Sequence, residues 1–209
     1  HCVKNILTGI KGGARFIDQA REQGELKHLE RGWPLMSRAI ERMESLVLNM
    51  LTFTREHGGE RTPCDVNQIV SDVLDVVRPR AEKYGLELRL EAGEMAPLTA
   101  DETGLFRVVL NLVTNAIDAC EGTGGVVTVR TRQDAGQCYV EVSDTGPGVK
   151  PEFVPHLFEA FASTKGSSGT GLGLACSRKI VREHGGDITF ASAPGEGATF
   201  VVALERVRA

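Results

Sequence analysis

The chain has 209 residues, 41% of them hydrophobic and 25% charged, and a formal net charge of −4. This composition is ordinary for a globular protein of one or two domains. It gives no basic footprint for nucleic acid and no apolar run that predicts membrane contact by this part of the chain. Five scattered cysteines without a CxxC pair favour neither a disulfide framework nor a zinc site, so we expect a reducing, cytoplasmic location. Because the first residue is His1 instead of methionine, we expect a piece of a longer protein.

Two helices are predicted at the start of the chain. Apolar residues recur every three or four positions over Val3–Ile17, and Gly24 marks the end of that helix. A second apolar stripe runs over Met36–Phe53 and covers about half of the helix circumference. Two helices alone cannot cover this stripe, so we predict a hairpin, residues 1–58, that forms a homodimeric four-helix bundle.

Three details of this region matter for the structure. The pair Gly12-Gly13 interrupts the first helix pattern, and close helix approach is one explanation. Pro34 suits a first helical turn or a bend. The run His57-Gly-Gly-Glu60 predicts a domain boundary, which divides the chain into residues 1–58 and 59–209.

Helix and strand patterns alternate in the second domain. Asp65 and Asp101 are predicted helix N-caps. Alternating apolar residues predict a strand near residues 86–90 and two strand pairs, 127–129 with 138–142 and 188–190 with 199–204. Strands joined mainly as hairpins, with helices between them, predict an α+β fold. We expect an α/β sandwich with a mixed, largely antiparallel sheet.

Four short motifs follow one another in this domain. They are Asn111-Leu-Val-Thr-Asn115, Asp144-Thr-Gly146-Pro-Gly148, Phe158-Glu-Ala-Phe161 followed by Ser163-Thr164-Lys165, and Gly169-Thr-Gly171-Leu172-Gly173. Each motif is weak evidence alone. Together, in this order, they predict a nucleotide site.

The two asparagines of the first motif lie four residues apart, on one face of a predicted helix. An amide oxygen is a neutral, hard ligand that suits Mg²⁺. Local capping or packing of Asn111 is the alternative. Asp144 follows a strand, and its carboxylate could accept a hydrogen bond from an exocyclic amine, which distinguishes adenine from guanine. A local turn stabilised by Asp144 is equally compatible with the residues.

The glycine run 169–173 opens a predicted helix, whose free N–H groups suit a phosphate. It is not the Walker pattern, because no lysine follows its last glycine. Thr164 and Lys165 stand just before it, where they are placed to reach phosphate.

These motifs resemble the N, G1, F and G2 boxes of two-component sensor histidine kinases, within the gyrase/Hsp90/MutL-like ATPase superfamily, and are closer to the nitrogen-regulatory type. The match covers about residues 62–205. The resemblance implies that Asn115 is the Mg²⁺ ligand, that Asp144 binds the adenine amine, and that Thr164 and Lys165 lie near the phosphates of ATP. It adds these residues to the ATP site: Asn111, Gly146, Gly148, Gly169, Gly171, Leu172, Gly173 and Thr199.

The resemblance also implies a phosphoryl acceptor. Where ATP-hydrolysing members carry a glutamate as general base, this chain has Asn111, and an amide cannot take a proton. Histidine needs less activation, because neutral imidazole already offers a lone pair. The run His1-Cys-Val-Lys-Asn5 resembles the family's H box, so His1 is the expected acceptor and Asn5 the residue that orients water in a phosphatase reaction. Cys2 replaces the usual acidic residue, which predicts weaker autokinase activity or another base.

The predicted function is therefore an ATP-dependent protein histidine autokinase that passes phosphoryl to an aspartate of a response-regulator receiver domain. A nucleotide-binding dimeric scaffold or phosphatase, with lost or weak autokinase activity, is the alternative. A hydrolytic ATPase is a third, which Asn111 disfavours.

Overall fold

The computed structural model describes residues 2–54, 59–134, 136–163 and 169–205. Within them the order of elements is α1 (Cys2–Gln23), α2 (Leu26–Thr54), β1 (Thr62–Cys64), α3 (Val66–Lys83), β2 (Leu86–Glu91), β3 (Leu98–Ala100), α4 (Glu102–Ala119), β4 (Gly125–Gln133), β5 (Gln137–Asp144), a 3₁₀ helix (Pro151–His156), α5 (Gly173–Glu183), β6 (Asp187–Ser192) and β7 (Ala198–Glu205). Contacts between Cα atoms divide the chain into two units. One contains residues 1–54 and 159–172, and the other contains residues 55–158 and 173–209. The predicted boundary after residue 58 adjoins residues outside the described ranges and stays a prediction.

Helices α1 and α2 form the predicted hairpin, and glycines let their backbones touch. A Cβ added to Gly13 would lie 2.7 Å from Cβ of Met36 and 2.8 Å from the carbonyl oxygen of Gly32. A Cβ added to Gly32 would lie 2.8 Å from the carbonyl oxygen of Gly13. The close-approach explanation is therefore confirmed for Gly13, whereas a Cβ on Gly12 would make an ordinary contact at 3.4 Å, and α1 continues through the pair. Gly24, at φ +67°, ends α1 as predicted.

Pro34 lies inside α2, which begins at Leu26, so its assignment to a first turn was wrong. A proline leaves the carbonyl four residues earlier without its helical donor. Pro34 and Glu30 are both exposed, so water can reach that carbonyl. This is why the helix can start two turns before the residue that signals a start.

The second unit is built on a five-stranded sheet of order β2-β4-β5-β7-β6. The β2–β4 pair is parallel and the other neighbouring pairs are antiparallel. Burial alternates along β5 and β7, so one sheet face packs into the core together with α3, α4 and α5. The α+β fold class and the mixed, largely antiparallel sheet are confirmed. The short β1–β3 pair was not predicted, because three-residue strands carry no readable periodicity.

The helix caps in this unit agree with the sequence. The Asp65 carboxylate accepts the N–H of Asn67 at 2.8 Å. The Asp101 carboxylate accepts the N–H of Gly104 at 2.9 Å, and the Asp101 N–H donates to Nε2 of His184 at 2.9 Å. These bonds set the start of α3 and tie the start of α4 to the end of α5. Among the described residues, no helix is both long and apolar enough to cross a bilayer.

Candidate functional site

Asp144 ends β5 and is buried, with 8% of its surface exposed. Its Oδ1 accepts the N–H of Gly146 at 2.9 Å, so the local turn predicted as an alternative does form. Burial raises the pKa of the Asp144 carboxyl above its ordinary value, against the opposing effect of the N–H groups of Gly146 and Ala198. An ionised carboxylate has about four acceptor positions. The turn therefore leaves Asp144 able to accept from a further donor.

Glycines surround this carboxylate because the chain passes close to itself. A Cβ on Gly197, at φ +83°, would lie 1.9 Å from the carbonyl oxygen of Asp144. A Cβ on Gly148, at φ +74°, would lie 2.4 Å from the carbonyl oxygen of Ala193. A Cβ on Gly146 would lie 2.9 Å from Oδ1 of Asp144 itself. The turn after Asp144 and the turn before β7 therefore require glycine for close backbone approach.

Thr199 and Cys120 lie beside the same strand end. Oγ1 of Thr199 is 2.8 Å from Oγ of Ser143, the residue before Asp144. Cys120 caps the end of α4 and is completely buried. Its thiol has a raised pKa, first through burial and second through the charge of Asp144. The sequence pattern did not single out Cys120, because a lone cysteine at a helix end carries no motif.

The first and last motifs meet at the start of α5. Nδ2 of Asn111 donates to Oγ of Ser177 at 3.0 Å. A Cβ on Gly173 would lie 2.2 Å from Oδ1 of Asn111, so this glycine lets α5 pack against the amide. Local packing of Asn111, the alternative from the sequence, is therefore present. Ser177 is 2% exposed and was missed; its position one turn after Gly173 is the signal that could have found it. Asn115 lies one turn further along α4 and is half-buried.

The glycine run forms a tight entry to α5. Gly171, at φ +67°, accepts the N–H of Phe161 at 2.8 Å, and a Cβ on Gly171 would lie 2.4 Å from the carbonyl carbon of Phe161. Leu172 is 1% exposed, and α5 begins at the next residue, Gly173. The first turn of a helix presents unpaired N–H groups and the positive end of its dipole, which suits an anion. Gly169 lies at the start of this described stretch.

The remaining predicted residues divide into two groups. His1, Thr164 and Lys165 lie outside the described residues. Asn5 is exposed on α1, in the first unit. Within the second unit, the structure brings Asn111 together with the start of α5, and it groups the glycines around Asp144.

The side chains that could donate to a metal ion near Asn115 indicate which ion the candidate site suits. The described residues contain no group of three or more His, Cys, Asp or Glu side chains that could hold a metal ion. A Mg²⁺ ion held by Asn115 would combine one neutral amide oxygen with water and ligand oxygens. Mg²⁺ keeps several waters and takes few protein ligands, so the Asn115 amide fits its requirements.

This combination of fold and motifs defines an ATP-binding domain. A family profile described as "Histidine kinase-, DNA gyrase B-, and HSP90-like ATPase" matches residues 100–208. The chain belongs to this family.

Curated relatives extend the likeness over the hairpin. The sensor histidine kinase ZraS of Klebsiella oxytoca is 35% identical over 207 residues, which is 98% of this chain and 44% of ZraS. The signal transduction histidine-protein kinase AtoS of Escherichia coli K12 is 30% identical over 205 residues, 98% of this chain and 33% of AtoS. The resemblance to sensor histidine kinases is confirmed. The chain spans less than half the length of these relatives.

Solved structures agree in fold. The structure of ThkA in complex with the response regulator TrrA has a TM-score of 0.77 at 25% identity, covering 98% of this chain and 59% of that one. Full-length ShkA in complex with AMPPNP has a TM-score of 0.75 at 27% identity, covering 97% of this chain and 44% of that one. Both comparisons include the hairpin as well as the sheet, which supports the predicted arrangement of elements along the chain.

Proposed function

We propose that this chain is the catalytic core of a sensor histidine kinase, which transfers phosphoryl from ATP to His1 and then to an aspartate of a response-regulator receiver domain. The observation that carries the proposal is the environment of Asn111. The side chain donates to Ser177 and packs on Gly173. By the family resemblance, this amide stands where the hydrolytic members carry the glutamate that serves as general base. An amide cannot deprotonate water, which favours transfer to a nucleophile that already has a lone pair.

The ATP site in this proposal combines the four motifs. Asp144 accepts from the adenine amine with the capacity that its turn leaves, and the glycines around it let the base approach the backbone. The entry to α5 binds the phosphates, with Thr164 and Lys165 before it. Asn115 holds Mg²⁺, which supplies positive charge to the phosphate oxygens when bound.

The transfer step needs little from the protein beyond position. A lone pair on an imidazole nitrogen of His1 attacks the γ-phosphorus, and the bond from phosphorus to the β–γ bridging oxygen breaks, so that ADP leaves. The imidazole then loses its proton to solvent or to a neighbouring base. In the separate phosphatase reaction, Asn5, one turn along α1, orients a water that attacks the aspartyl phosphate of the receiver domain, so that inorganic phosphate leaves and the free carboxylate is restored.

The hairpin, residues 1–58, is proposed to dimerise. In the single chain its two helices expose large apolar side chains, with fractions of 45% for Leu7, 59% for Trp33 and 51% for Ile40. A second copy would cover such a surface and complete a four-helix bundle. The receiver-domain partner is proposed because ThkA, with which the fold is shared, was solved with a response regulator. A cytoplasmic location stays a prediction of the cysteine pattern.

A second function is favoured by one residue. Cys2 stands where the H box has an acidic side chain, and a thiol is a poor proton acceptor near neutral pH. A nucleotide-binding dimer that acts mainly as phosphatase or scaffold is therefore the alternative.

Labelling separates these functions. Full-length protein incubated with γ-labelled ATP and Mg²⁺ should acquire acid-labile label, and His1→Gln should remove it. His156→Gln is the matched control, since His156 is an exposed histidine of the 3₁₀ helix and not the expected acceptor, so its variant should still take label. Nucleotide binding without label would favour the scaffold or phosphatase. Steady phosphate release without labelled protein would favour a hydrolytic ATPase and refute the proposal.

A further inference from the structure

Phe158 is the first residue of the third motif and the last residue of the second unit before the chain enters residues 159–172. Its ring contacts Phe190 on β6 edge-on, with centroids 6.2 Å apart, and Phe190 stacks on Phe200 at 6.0 Å. Phe158 is therefore fixed from one side by an aromatic ladder that continues into the sheet.

Arg178 fixes the same ring from α5. Its guanidinium carbon lies 4.6 Å from the centroid of Phe158, within the range of a cation–π contact. Its Nε and Nη2 atoms donate to Oδ1 and Oδ2 of Asp187 at 2.7 and 2.9 Å. A bidentate pair of this kind sets the plane of the guanidinium. The Asp187 carboxylate therefore holds Arg178 in the orientation that faces the ring.

Arg182 provides a comparison within the same helix. It also donates to Asp187, at 3.4 and 3.2 Å, and its side chain is 57% exposed against 31% for Arg178. The two arginines thus share one carboxylate, but among the described contacts only Arg178 lies over Phe158. Arg182 therefore represents the ion pair with Asp187 without the contact to the Phe158 ring.

We propose that Arg178 is a positioning residue of the kinase reaction, which ties Phe158, where the chain leaves the second unit, to α5, where the chain returns at Gly173. It thereby fixes the separation of the two ends of residues 159–172 and, with them, the entry to the phosphate-binding helix. The inference rests on the proposed function. A backbone bond from Phe161 to Gly171, 2.8 Å long, closes the same stretch further along.

The test measures labelling rate at saturating ATP, affinity for a non-hydrolysable ATP analogue, and unfolding temperature in the full-length protein. Arg178→Gln and Phe158→Leu should each slow labelling about tenfold, because misplacing a catalytic site by about 1 Å can cost up to a hundredfold. Arg182→Gln, the matched control, should stay within about twofold. Phe158→Tyr keeps the ring face and should restore most of the rate, which a general loss of packing would not predict.

The double variant Arg178→Gln/Phe158→Leu tests whether the two residues act together. It should be no slower than the slower single variant, since both remove the same contact. Additive losses, or equal rates for Arg178→Gln and Arg182→Gln, would overturn the inference. A drop in labelling that simply follows the unfolding temperature across all variants would also overturn it.

Failure of the proposed function would look different. If the parent protein binds the analogue but takes no label, the kinase assignment fails and hydrogen exchange tests the positioning. Arg178→Gln should then speed exchange in residues 159–163 and 169–172 with the analogue bound, and leave residues 127–142 unchanged. Unchanged exchange in the first two segments would refute the positioning role independently.

Discussion

Replacing Asp144 by Asn separates binding from stability at one position. The side chain keeps its size and an oxygen that can accept the N–H of Gly146. It loses its charge, and its second oxygen becomes an amide that donates. An amine donor of adenine would then face a donor instead of an acceptor. Losing a hydrogen bond to a charged, buried group costs about 1.5–3 kcal/mol. We therefore expect at least a tenfold loss of affinity for ATP, which corresponds to about 1.4 kcal/mol.

In the nucleotide-free protein, the same substitution should increase the free energy of unfolding. Burial raises the pKa of Asp144 in the folded state, so the native protein binds more protons than the unfolded chain between the two pKa values. Its contribution to stability therefore falls as pH rises from the unfolded value, and the ionised carboxylate is a cost at pH 7. Asp144→Asn removes that cost and should raise the free energy of unfolding at pH 7, with little difference from the parent at acidic pH.

Asp134→Asn is a matched control. The Asp134 carboxylate also accepts backbone N–H groups that follow it in the chain, from Gly136 at 3.1 Å and Gln137 at 3.0 Å. Unlike Asp144, Asp134 is exposed, in the β4–β5 turn. Those bonds lower the pKa of its carboxyl, so this substitution should not stabilise the protein or change nucleotide affinity. Calorimetric titration with a non-hydrolysable ATP analogue, and urea unfolding from pH 4 to 8, measure both effects. Unchanged affinity in Asp144→Asn would remove this residue from the site, and reduced stability at pH 7 would refute the desolvation argument.

Three further substitutions test other contacts. Gly13→Ala should destabilise the hairpin by about 1–3 kcal/mol, because its Cβ would meet backbone at 2.8 Å. The control Gly12→Ala, whose Cβ would lie 3.4 Å from the end of a leucine side chain, should be neutral or stabilising. Thermal unfolding measures both variants. Gly173→Ala should displace the packed amide of α4 and weaken binding of the ATP analogue, while Gly136→Ala, with nothing within 4 Å, should bind normally in the same titration. Asp187→Asn should lower stability at pH 7, because hydrogen bonds from Arg178 hold the pKa of the Asp187 carboxyl below its ordinary 3.8. The difference in unfolding free energy from the parent should shrink as pH falls below 3.8. A difference that stays constant from about pH 3 to 7 in urea unfolding would contradict the ion pair.

Much of the fold followed from local signals. The caps at Asp65 and Asp101 and the helix end at Gly24 depend on chemistry within a few residues, which the sequence displays directly. The strand periodicities predicted the sheet for the same reason. Pro34 was misplaced because a helix can accept a proline where water replaces the lost donor, and solvent access is a tertiary property.

Sequence motifs predicted the residues of the candidate site that stand in recognisable runs. They did not predict the residues whose place depends on packing between distant segments. The glycines near Asp144 and at the entry to α5 stand in recognisable runs. Ser177 contacts Asn111 on α4, and Arg178 contacts Phe158. These partners are far away in sequence, so no local pattern marks either residue. The role of Gly13 needed its partner Gly32, because a close approach of two helices requires small residues on both.

The contact of Gly13 with Gly32 also limits how the hairpin can move. Side chains that interdigitate can change rotamer and let two helices slide, but here backbone meets backbone and has no rotamer to change. A Cβ at Gly32 would meet Cβ of Phe16 at 2.8 Å, so the neighbouring turns leave no space for a shifted register. A push along α1 therefore carries α2 with it or separates the pair. We therefore expect the Gly13–Gly32 contact to couple axial displacements of the two helices.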